Sequence, residues 1–200
     1  MRVLAGALKG RRLETPRGST TRPTADQVRI ALMDTLTPRL PGARLLDLFA
    51  GAGGVGLEAL SRGAAHATFV ERDARAVAAL RANVETLGVT AETRVERGDV
   101  RAALERLARD GPRFDVVFLD PPYDEDLVTP TLERLGGSPV VEPDALVIAQ
   151  HLTKKPPAET IGRLHAYRAR RFGETTLTFF RAGGYDSPGT GREDVRRPCG

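Results

Sequence analysis

Residues 47–56 read DLFAGAGGVG, and the last six of them follow the pattern G-x-G-x-x-G. The nearly continuous apolar run ARLLDLF at 43–49 leads into this stretch and is typical of a strand buried on both faces. Glycine turns follow such a strand where the backbone must approach a ligand closely. The stretch therefore predicts a strand, a ligand-binding turn and a helix, in that order.

The same alternation of strand and helix continues along the chain. Helical patterns, several of them closed by glycine, separate further apolar runs: HATFVE at 66–71, ETRVERGD at 92–99, FDVVFLD at 114–120 and ALVIAQ at 145–150. This repetition predicts an α/β fold with a doubly wound, mostly parallel sheet. The closing stretch LHAYRARRFGETTLTFF at 164–180 alternates around Gly173, which predicts a hairpin that adds an antiparallel strand.

Three segments follow from composition and pattern. Residues 1–40 predict a basic extension made of a small hairpin and a helix, with eight Lys/Arg against three Asp/Glu. Residues 41–182 form the predicted catalytic domain, and its acidic part, 41–152, holds twelve basic and eighteen acidic residues. Residues 183–200 are rich in Gly, Pro and charge and predict a flexible tail. Basic ends around an acidic middle suggest contact with a polyanion.

The bulk composition narrows the class of protein. The single cysteine, Cys199, excludes a disulfide framework, and no apolar run approaches membrane-spanning length. The three histidines are isolated, so no metal site is predicted. We therefore expect a cytoplasmic protein without a membrane partner, active as a monomer.

Two ligands fit the glycine turn. Glu71 stands twenty residues after Gly51, the spacing of an NAD-binding turn, where the acid accepts from a ribose. A methyl donor, S-adenosylmethionine, carries a ribose too, and Arg72 and Asp99 could line the pocket of either ligand. Asp47, near the end of the first strand, would repel a pyrophosphate but suits a cationic donor. The methyl donor is therefore favoured, and an NAD-linked oxidoreductase is the rival from another class.

The tetrapeptide Asp120-Pro121-Pro122-Tyr123 follows the fourth strand. Its two prolines fix the backbone and cannot continue a sheet, so the chain leaves the sheet as a rigid ledge at its carboxyl edge. The Asp120 carboxylate and the Pro121 carbonyl could accept from the two N–H groups of a nucleobase amine, and Tyr123 could stack on the base. This combination predicts methylation of an amine.

The chain resembles the class I S-adenosylmethionine-dependent methyltransferases, and within them the RsmD-type bacterial 16S rRNA (guanine-N2)-methyltransferases. The resemblance runs from Arg2 to about Phe180. It is carried by RVLAGALKGRRLETP at 2–16, TRPTADQVR at 21–29, LDLFAGAGGVGLEALSRGA at 46–64, VERD at 70–73, GD at 98–99 and LDPPY at 119–123.

The resemblance implies a seven-stranded Rossmann-like sheet and transfer to the N2 amine of one guanine in small-subunit ribosomal RNA, free or in an assembled or partly assembled 30S particle. It makes Asp120, Pro121, Pro122 and Tyr123 the catalytic group. It assigns donor contacts to Asp47, Phe49, Gly51, Gly53, Gly56, Glu71, Arg72, Asp99 and Val100. It places Arg22, Thr24, Asp26 and Arg29 near the pocket mouth, where they would help to bind the substrate.

The basic cluster near the N-terminus is a separate prediction from charge alone. Arg11 and Arg12 follow Lys9 closely and are the best candidates for phosphate contacts, which position a nucleic acid without reading its sequence.

Other functions stay open at this point. A methyltransferase for another nucleic-acid amine, on DNA or on an adenine or cytosine of RNA, would use the same ledge. A DNA enzyme would normally need a sizeable recognition region, for which 200 residues leave little room. A catalytically silent RNA-binding module would keep the same fold.

Overall fold

The computed structural model describes residues 1–16, 23–123 and 125–184. Of the predicted tail at 183–200, residues 185–200 lie outside the described residues. The helices are α1 Pro23–Leu36, α2 Gly54–Ser61, α3 Ala74–Leu87, α4 Val100–Asp110 and α5 Val128–Gly136, with a 3-10 turn at Thr37–Arg39. The strands are β1 Arg44–Leu48, β2 His66–Glu71, β3 Thr93–Arg97, β4 Phe114–Leu119, β5 Val141–Leu152, β6 Thr160–Ile161, β7 Leu164–Phe172 and β8 Thr175–Ala182.

One sheet runs in the order β3-β2-β1-β4-β5-β8-β7-β6. Strands β1 to β5 pair in parallel, whereas β8 pairs antiparallel with β5 and β7. The predicted α/β fold with a mostly parallel, doubly wound sheet is confirmed. Strand order reverses between β1 and β4, and ligands bind at such a reversal in open α/β sheets, beyond the carboxyl ends of the strands.

The sheet has eight strands rather than seven, and two of them, β6 and β8, run against β1. The additional strand, β6, is only two residues long and pairs with the start of β7 around Gly162, whose φ is 58°. Two residues cannot show an alternating pattern, so hydrophobic periodicity gives no sign of this strand.

Local sequence signals set the helix ends nearest the cleft. Asp73 caps α3 by accepting from the amides of Arg75 and Ala76, and Gly88 ends it with φ 72°. Asp99 caps α4 through the Arg101 amide. Both aspartates closely follow strands at the carboxyl edge of the sheet, so capping fixes where two helices leave that edge.

Helices cover both faces of the sheet. The face with α1 and α2 packs around Leu32, Leu45 and Phe179, and the face with α4 and α5 packs around Leu104, Leu132 and Phe180. No helix among the described residues is long and apolar enough to cross a membrane.

The N-terminal segment forms an arm that packs on α2 and α3. The predicted hairpin appears as an antiparallel bridge between Arg2 and Arg12, and Val3 is buried in one cluster with Leu57 and Leu80. The carboxylate of Glu58, which is fully buried, accepts from the amides of Leu4 and Ala5 at 2.7 and 3.0 Å. The arm is therefore held by hydrogen bonds to α2 as well as by apolar contact.

Candidate active site

A cleft of about 340 Å³ opens at the carboxyl ends of β1 and β4, on the face that carries α1. The glycine turn forms its floor, and α1 and the arm form its walls. Its lining consists of Met1, Thr15, Pro16, Asp26, Val28, Arg29, Leu32, Asp47, Phe49, Ala50, Gly51, Ala52, Gly54, Val55, Phe118, Asp120 and Gln150. We call this space the first cleft.

The glycine turn has two kinds of glycine. Gly51 and Gly53 adopt φ of 56° and 84°, a region that favours glycine, and they turn the chain from β1 into α2. Gly56 lies deeper, where a Cβ atom would stand 2.3 Å from the Phe69 ring. Gly56 therefore allows α2 to pack closely on β2, whereas Gly51 shapes the wall of the first cleft.

Phe49 also has a left-handed backbone, with φ 62°, although it carries a side chain. Residues other than glycine rarely adopt this conformation, and such strain is concentrated at functional sites. Phe49 lies between β1 and the glycine turn and lines the cleft. The turn is therefore held in a conformation that surrounding contacts must stabilise.

Asp47 is 2% exposed, and its Oδ2 accepts from the Gly56 amide at 3.0 Å. The pKa of Asp47 is raised to about 8, mainly by burial; the Gly56 hydrogen bond opposes this rise, and the nearby charges of Asp120 and Glu71 add to it. Because ionisation is opposed by desolvation, a positive group in the first cleft would favour the charged carboxylate. Asp47 is thus suited to a cationic ligand.

Asp47→Asn should change how the stability of the ligand-free protein depends on pH. The folded pKa of Asp47 is about 8, above the unfolded value of about 3.9, so between these values the folded state keeps a proton that the unfolded state loses. Stability therefore falls as the pH rises from about 4 to about 8, and asparagine removes this contribution. In urea unfolding, the free energy of unfolding should fall less between about pH 5 and pH 8 in the variant than in the wild type.

The exposed Asp110, at the end of α4, provides the control for this measurement. Asp110→Asn should follow the pH dependence of the unchanged protein. Identical pH dependence in the Asp47→Asn variant would contradict the raised pKa.

Glu71 supports the turn from β2. Its Oε2 accepts from the Gly51 amide at 2.8 Å, and its Oε1 accepts from the Asp73 amide at 2.7 Å. Each carboxylate oxygen has two lone pairs, so Glu71 can accept further bonds from a ligand while it holds the turn.

A second cleft of about 320 Å³ adjoins the first. It is lined by Phe49, Glu71, Arg72, Asp120, Pro121, Pro122 and Tyr123. Phe49 and Asp120 line both clefts, so the two spaces meet at these side chains. The four residues of the predicted ledge thus lie where two ligands could approach each other.

Asp120 follows β4 at this junction. Burial raises the pKa of Asp120 to about 7. A carboxylate with this pKa exchanges a proton near neutral pH more readily than an ordinary aspartate, and it accepts hydrogen bonds from a donor group placed in either cleft.

Tyr123 presents an aromatic ring at the edge of the second cleft. The side chain is 46% exposed, but its hydroxyl makes two hydrogen bonds. It lies 3.0 Å from Thr175 Oγ1 and accepts from Gln150 Nε2 at 3.2 Å. These two contacts, from β8 and β5, fix the end of the ring while its face stays accessible. A fixed, exposed ring suits stacking on a flat ligand.

Arg29 lines the first cleft from α1 and is 7% exposed. Its Nη2 donates to the Arg2 carbonyl at 3.0 Å and pairs with Asp26 Oδ1 at 3.1 Å. Its Nε and Nη1 are buried and have no hydrogen-bond partner among the described residues. The N–H groups of a buried guanidinium normally all have hydrogen-bond partners. Nε and Nη1 of Arg29, in the cleft wall, therefore indicate a site for an anionic group.

The remaining predicted residues lie apart from this centre or outside the description. Arg72 lines the second cleft but is paired with Glu125, and Asp99 and Val100 are not among the residues that line the two clefts. Val100, the first residue of α4, packs in the core. Arg11 and Arg12 are exposed on the arm, where Arg11 donates to the Thr86 carbonyl. Arg22 lies outside the described residues, and the Thr24 side chain is not described.

Sequence reasoning missed residues that only the folded chain brings to the site. Gln150 lines the first cleft and bonds Tyr123, and Thr175 bonds the same hydroxyl. Gln150 ends the predicted strand ALVIAQ, so a polar residue at a strand's carboxyl end was a usable signal. Thr175 gave none. Within the described ranges, no group of His, Cys, Asp and Glu side chains could hold a metal ion.

Comparison with known proteins gives consistent findings. The sequence model described as "Conserved hypothetical protein 95" matches residues 1–181. The YlbH protein of Bacillus subtilis (strain 168), described as a putative rRNA methyltransferase, is 38% identical over 184 residues, which cover 92% of this chain and 100% of YlbH. Ribosomal RNA small subunit methyltransferase D of Escherichia coli (strain K12) is 37% identical over 150 residues, covering 75% of this chain and 74% of that protein.

A solved structure shares the whole architecture. The structure of a hypothetical protein of Thermus thermophilus is 35% identical and superposes with a TM-score of 0.77, covering 90% of this chain and 98% of the other. Most of the chain, including the sheet that carries the glycine turn and the ledge, therefore has a counterpart of known structure.

Proposed function

The chain belongs to the family described as conserved hypothetical protein 95, and on this premise we propose that it transfers a methyl group from S-adenosylmethionine to the N2 amine of a guanine in small-subunit ribosomal RNA. The observation that supports this most directly is the junction of the two clefts at Asp120. One cleft suits a donor with charged ends, and the other presents a proline ledge and an exposed aromatic ring to a flat acceptor.

The first cleft suits the charges of S-adenosylmethionine. The amino-acid end of this donor carries an ammonium and a carboxylate. Asp47 can be ionised by a cation at the turn. Nε and Nη1 of Arg29, which have no hydrogen-bond partner in the described part of the chain, lie in the wall of the same cleft. The pyrophosphate of a dinucleotide would oppose ionisation of Asp47 and Asp120, whereas a cationic ligand favours it. We therefore assign the first cleft to the methyl donor and the carboxylate of the donor to Arg29.

Glu71 and Phe49 complete the proposed donor site. Glu71 holds the turn and keeps lone pairs for the ribose hydroxyls. Asp99 is the proposed partner of the adenine amine, beside Val100 and Arg72, although it also caps α4. Gly53 and Gly56 contribute through the shape of the turn rather than through direct contact.

The ledge receives the acceptor. Asp120 and the Pro121 carbonyl accept from the two N–H groups of the amine, which holds the amine in one orientation. Tyr123 stacks on the guanine after it leaves its helix. S-adenosylmethionine supplies a methyl group that is already activated on a sulfonium, so positioning provides most of the catalysis. Asp120 then takes the proton that the methylated amine loses.

The N-terminal extension at 1–40 completes the site and adds charge. Arg11 and Arg12 are proposed to contact RNA phosphates, and Arg22, Thr24 and Asp26 to line the mouth of the first cleft, where Asp26 already does so. The domain at 41–182 is proposed to carry the chemistry. We propose that the protein acts as a monomer in the cytoplasm, on small-subunit ribosomal RNA that is free or in a wholly or partly assembled 30S particle.

Methyl transfer from labelled donor tests the proposal. The protein is incubated with naked small-subunit RNA, with assembled small subunits, and with genomic DNA, and digested products are identified by mass spectrometry. We expect N2-methylguanosine from one of the RNA samples. Methyladenosine, methylcytosine or labelled DNA would assign another amine. No transfer to any sample, together with calorimetric binding of NADH in place of the donor, would support an oxidoreductase.

A further inference from the structure

The β7–β8 hairpin carries a basic, aromatic surface on the side of the sheet that α1 covers. Arg168 lies opposite Phe179 and Arg170 lies opposite Leu177 in the antiparallel register. Directly opposed residues point to the same face of a sheet. Because Phe179 and Leu177 are buried in the cluster that includes α1, both arginines belong to that face.

A β-bulge in β7 places Tyr167 on this surface. The register shifts between Ala166 and Arg168, so Tyr167 is an additional residue in β7. The ring of Tyr167 packs at 6.4 Å between centroids from Phe179, and the Arg181 guanidinium lies 5.6 Å from the centre of the Tyr167 ring. Tyr167 nevertheless remains 49% exposed. We name Tyr167, Arg168, Arg170 and Arg181 the hairpin face.

The cations of the hairpin face are not neutralised by carboxylates. Among the described residues, none of its three arginines forms an ion pair, whereas Arg101 and Arg106 of α4 pair with Glu105 and Glu96. Arg170 donates to the Ala31 carbonyl at 3.2 Å and lies over the Phe172 ring. Residues 153–184 hold seven Lys/Arg and two Asp/Glu, so the surroundings are basic as well.

The β7–β8 hairpin contacts the acceptor cleft at its turn. Thr175, at the start of β8, contacts the Tyr123 hydroxyl, and Phe172, at the end of β7, pairs with Thr175. Tyr167 lies five residues back along β7, roughly 16 Å from that end at the usual rise of a strand. RNA leaving the second cleft could therefore follow the hairpin over the length of several nucleotides.

We infer that the hairpin face binds the RNA substrate outside the methylated nucleotide, with its arginines on phosphates and Tyr167 stacked on an unpaired base. The inference rests on the proposed function. Arginine presents a planar fork of donors that matches a phosphate, and aromatic rings accept bases of any sequence. The lack of carboxylate partners favours RNA as the occupant, because an acidic polymer supplies the charges that the described part of the chain does not.

Removing two cations from the face tests the inference. Arg168→Ser with Arg181→Ser should weaken binding of naked small-subunit RNA roughly tenfold or more near physiological salt, and should reduce the slope of log affinity against log salt by about 1 to 2. Donor affinity and turnover at saturating RNA should stay unchanged, while KM for RNA rises. The matched control is Arg109→Ser with Arg134→Ser, which removes the same charge from α4 and α5 and should bind RNA normally.

Tyr167 separates stacking from charge. Tyr167→Ala should weaken RNA binding without changing the salt slope, and Tyr167→Phe should restore it because the ring is kept. An unchanged affinity and slope in the double arginine variant would overturn the inference while leaving methyl transfer intact. Weaker binding to whole particles with normal binding to naked RNA would assign the face to a ribosomal protein instead. Wild-type protein that binds neither naked RNA nor whole particles would overturn the proposed function as well.

Discussion

Asp120→Ala should lower the turnover of methyl transfer by about 10²- to 10⁴-fold, the range of a positioned acid–base group. Among the described residues, Asp120 is the one carboxylate that lines both the space proposed for the amine and the space proposed for the donor. Alanine leaves the Pro121 carbonyl as the single acceptor for two N–H groups, so the amine loses its fixed orientation.

Donor binding should not weaken in this variant. The charge of Asp120 adds to the burial that raises the pKa of Asp47, and its removal makes ionisation of Asp47 easier. Affinity for the cationic donor should therefore be retained or slightly increased. A fall in turnover without a fall in donor affinity distinguishes a role in chemistry from a role in holding the cleft together.

The measurement combines single-turnover methyl transfer with calorimetry of donor binding. Asp126→Ala provides the control, since Asp126 is an exposed acid just beyond the ledge. The pH dependence gives a second check. The pKa of Asp120 is about 7 and its ionised form is the active one, so the wild-type rate should fall as the pH drops below about 7. Turnover of Asp120→Ala close to that of wild type would refute the amine-holding role.

Arg29→Met should weaken S-adenosylmethionine binding by about 10- to 100-fold, as expected for the loss of charge-assisted hydrogen bonds worth about 1.5–3 kcal/mol. Nε and Nη1 of Arg29 are buried without a partner among the described residues, and Nη2 already holds the Arg2 carbonyl and Asp26. Burial lowers the pKa of Arg29, which shows that the charge is held at a desolvation cost. The carboxylate of S-adenosylmethionine would accept hydrogen bonds from Nε and Nη1 of Arg29 and offset that cost.

A donor analogue makes this prediction specific. Decarboxylated S-adenosylmethionine lacks the group that Arg29 is proposed to bind, so the wild type should bind it more weakly than the donor, and Arg29→Met should bind both alike. Arg39→Met, on the exposed turn after α1, is the control and should keep the wild-type preference. Equal loss of affinity for donor and analogue would show that Arg29 supports the cleft only structurally.

The parts of the site that one continuous stretch encodes could be predicted from the sequence. The glycine turn at 51–56 and the ledge at 120–123 are read from adjacent residues, because turn chemistry and proline geometry are local properties. Their meeting at Asp120 also followed from the fold, since parallel strands bring their carboxyl ends to one edge. The alternation of strands and helices was enough for the fold class.

Other parts depend on contacts between distant residues. Arg29 was expected at the pocket mouth, but because α1 packs against the sheet, its side chain is buried and lines the first cleft. The role of Glu58 appears only when Leu4 and Ala5 approach it across more than fifty positions of sequence. The hairpin face depends on a bulge at Tyr167, and a bulge changes the side on which later residues fall.

The buried carboxylate of Glu58 links the N-terminal arm to the helix that follows the glycine turn. The arm and the glycine turn both depend on α2, because Glu58 binds the arm and the helix begins at the turn. A change that displaces this short helix would therefore disturb both. Deletion of residues 1–5 would leave Glu58 paired with Arg62 but without the two amides from which it accepts. We therefore expect loss of the arm to loosen α2 and, with it, the glycine turn.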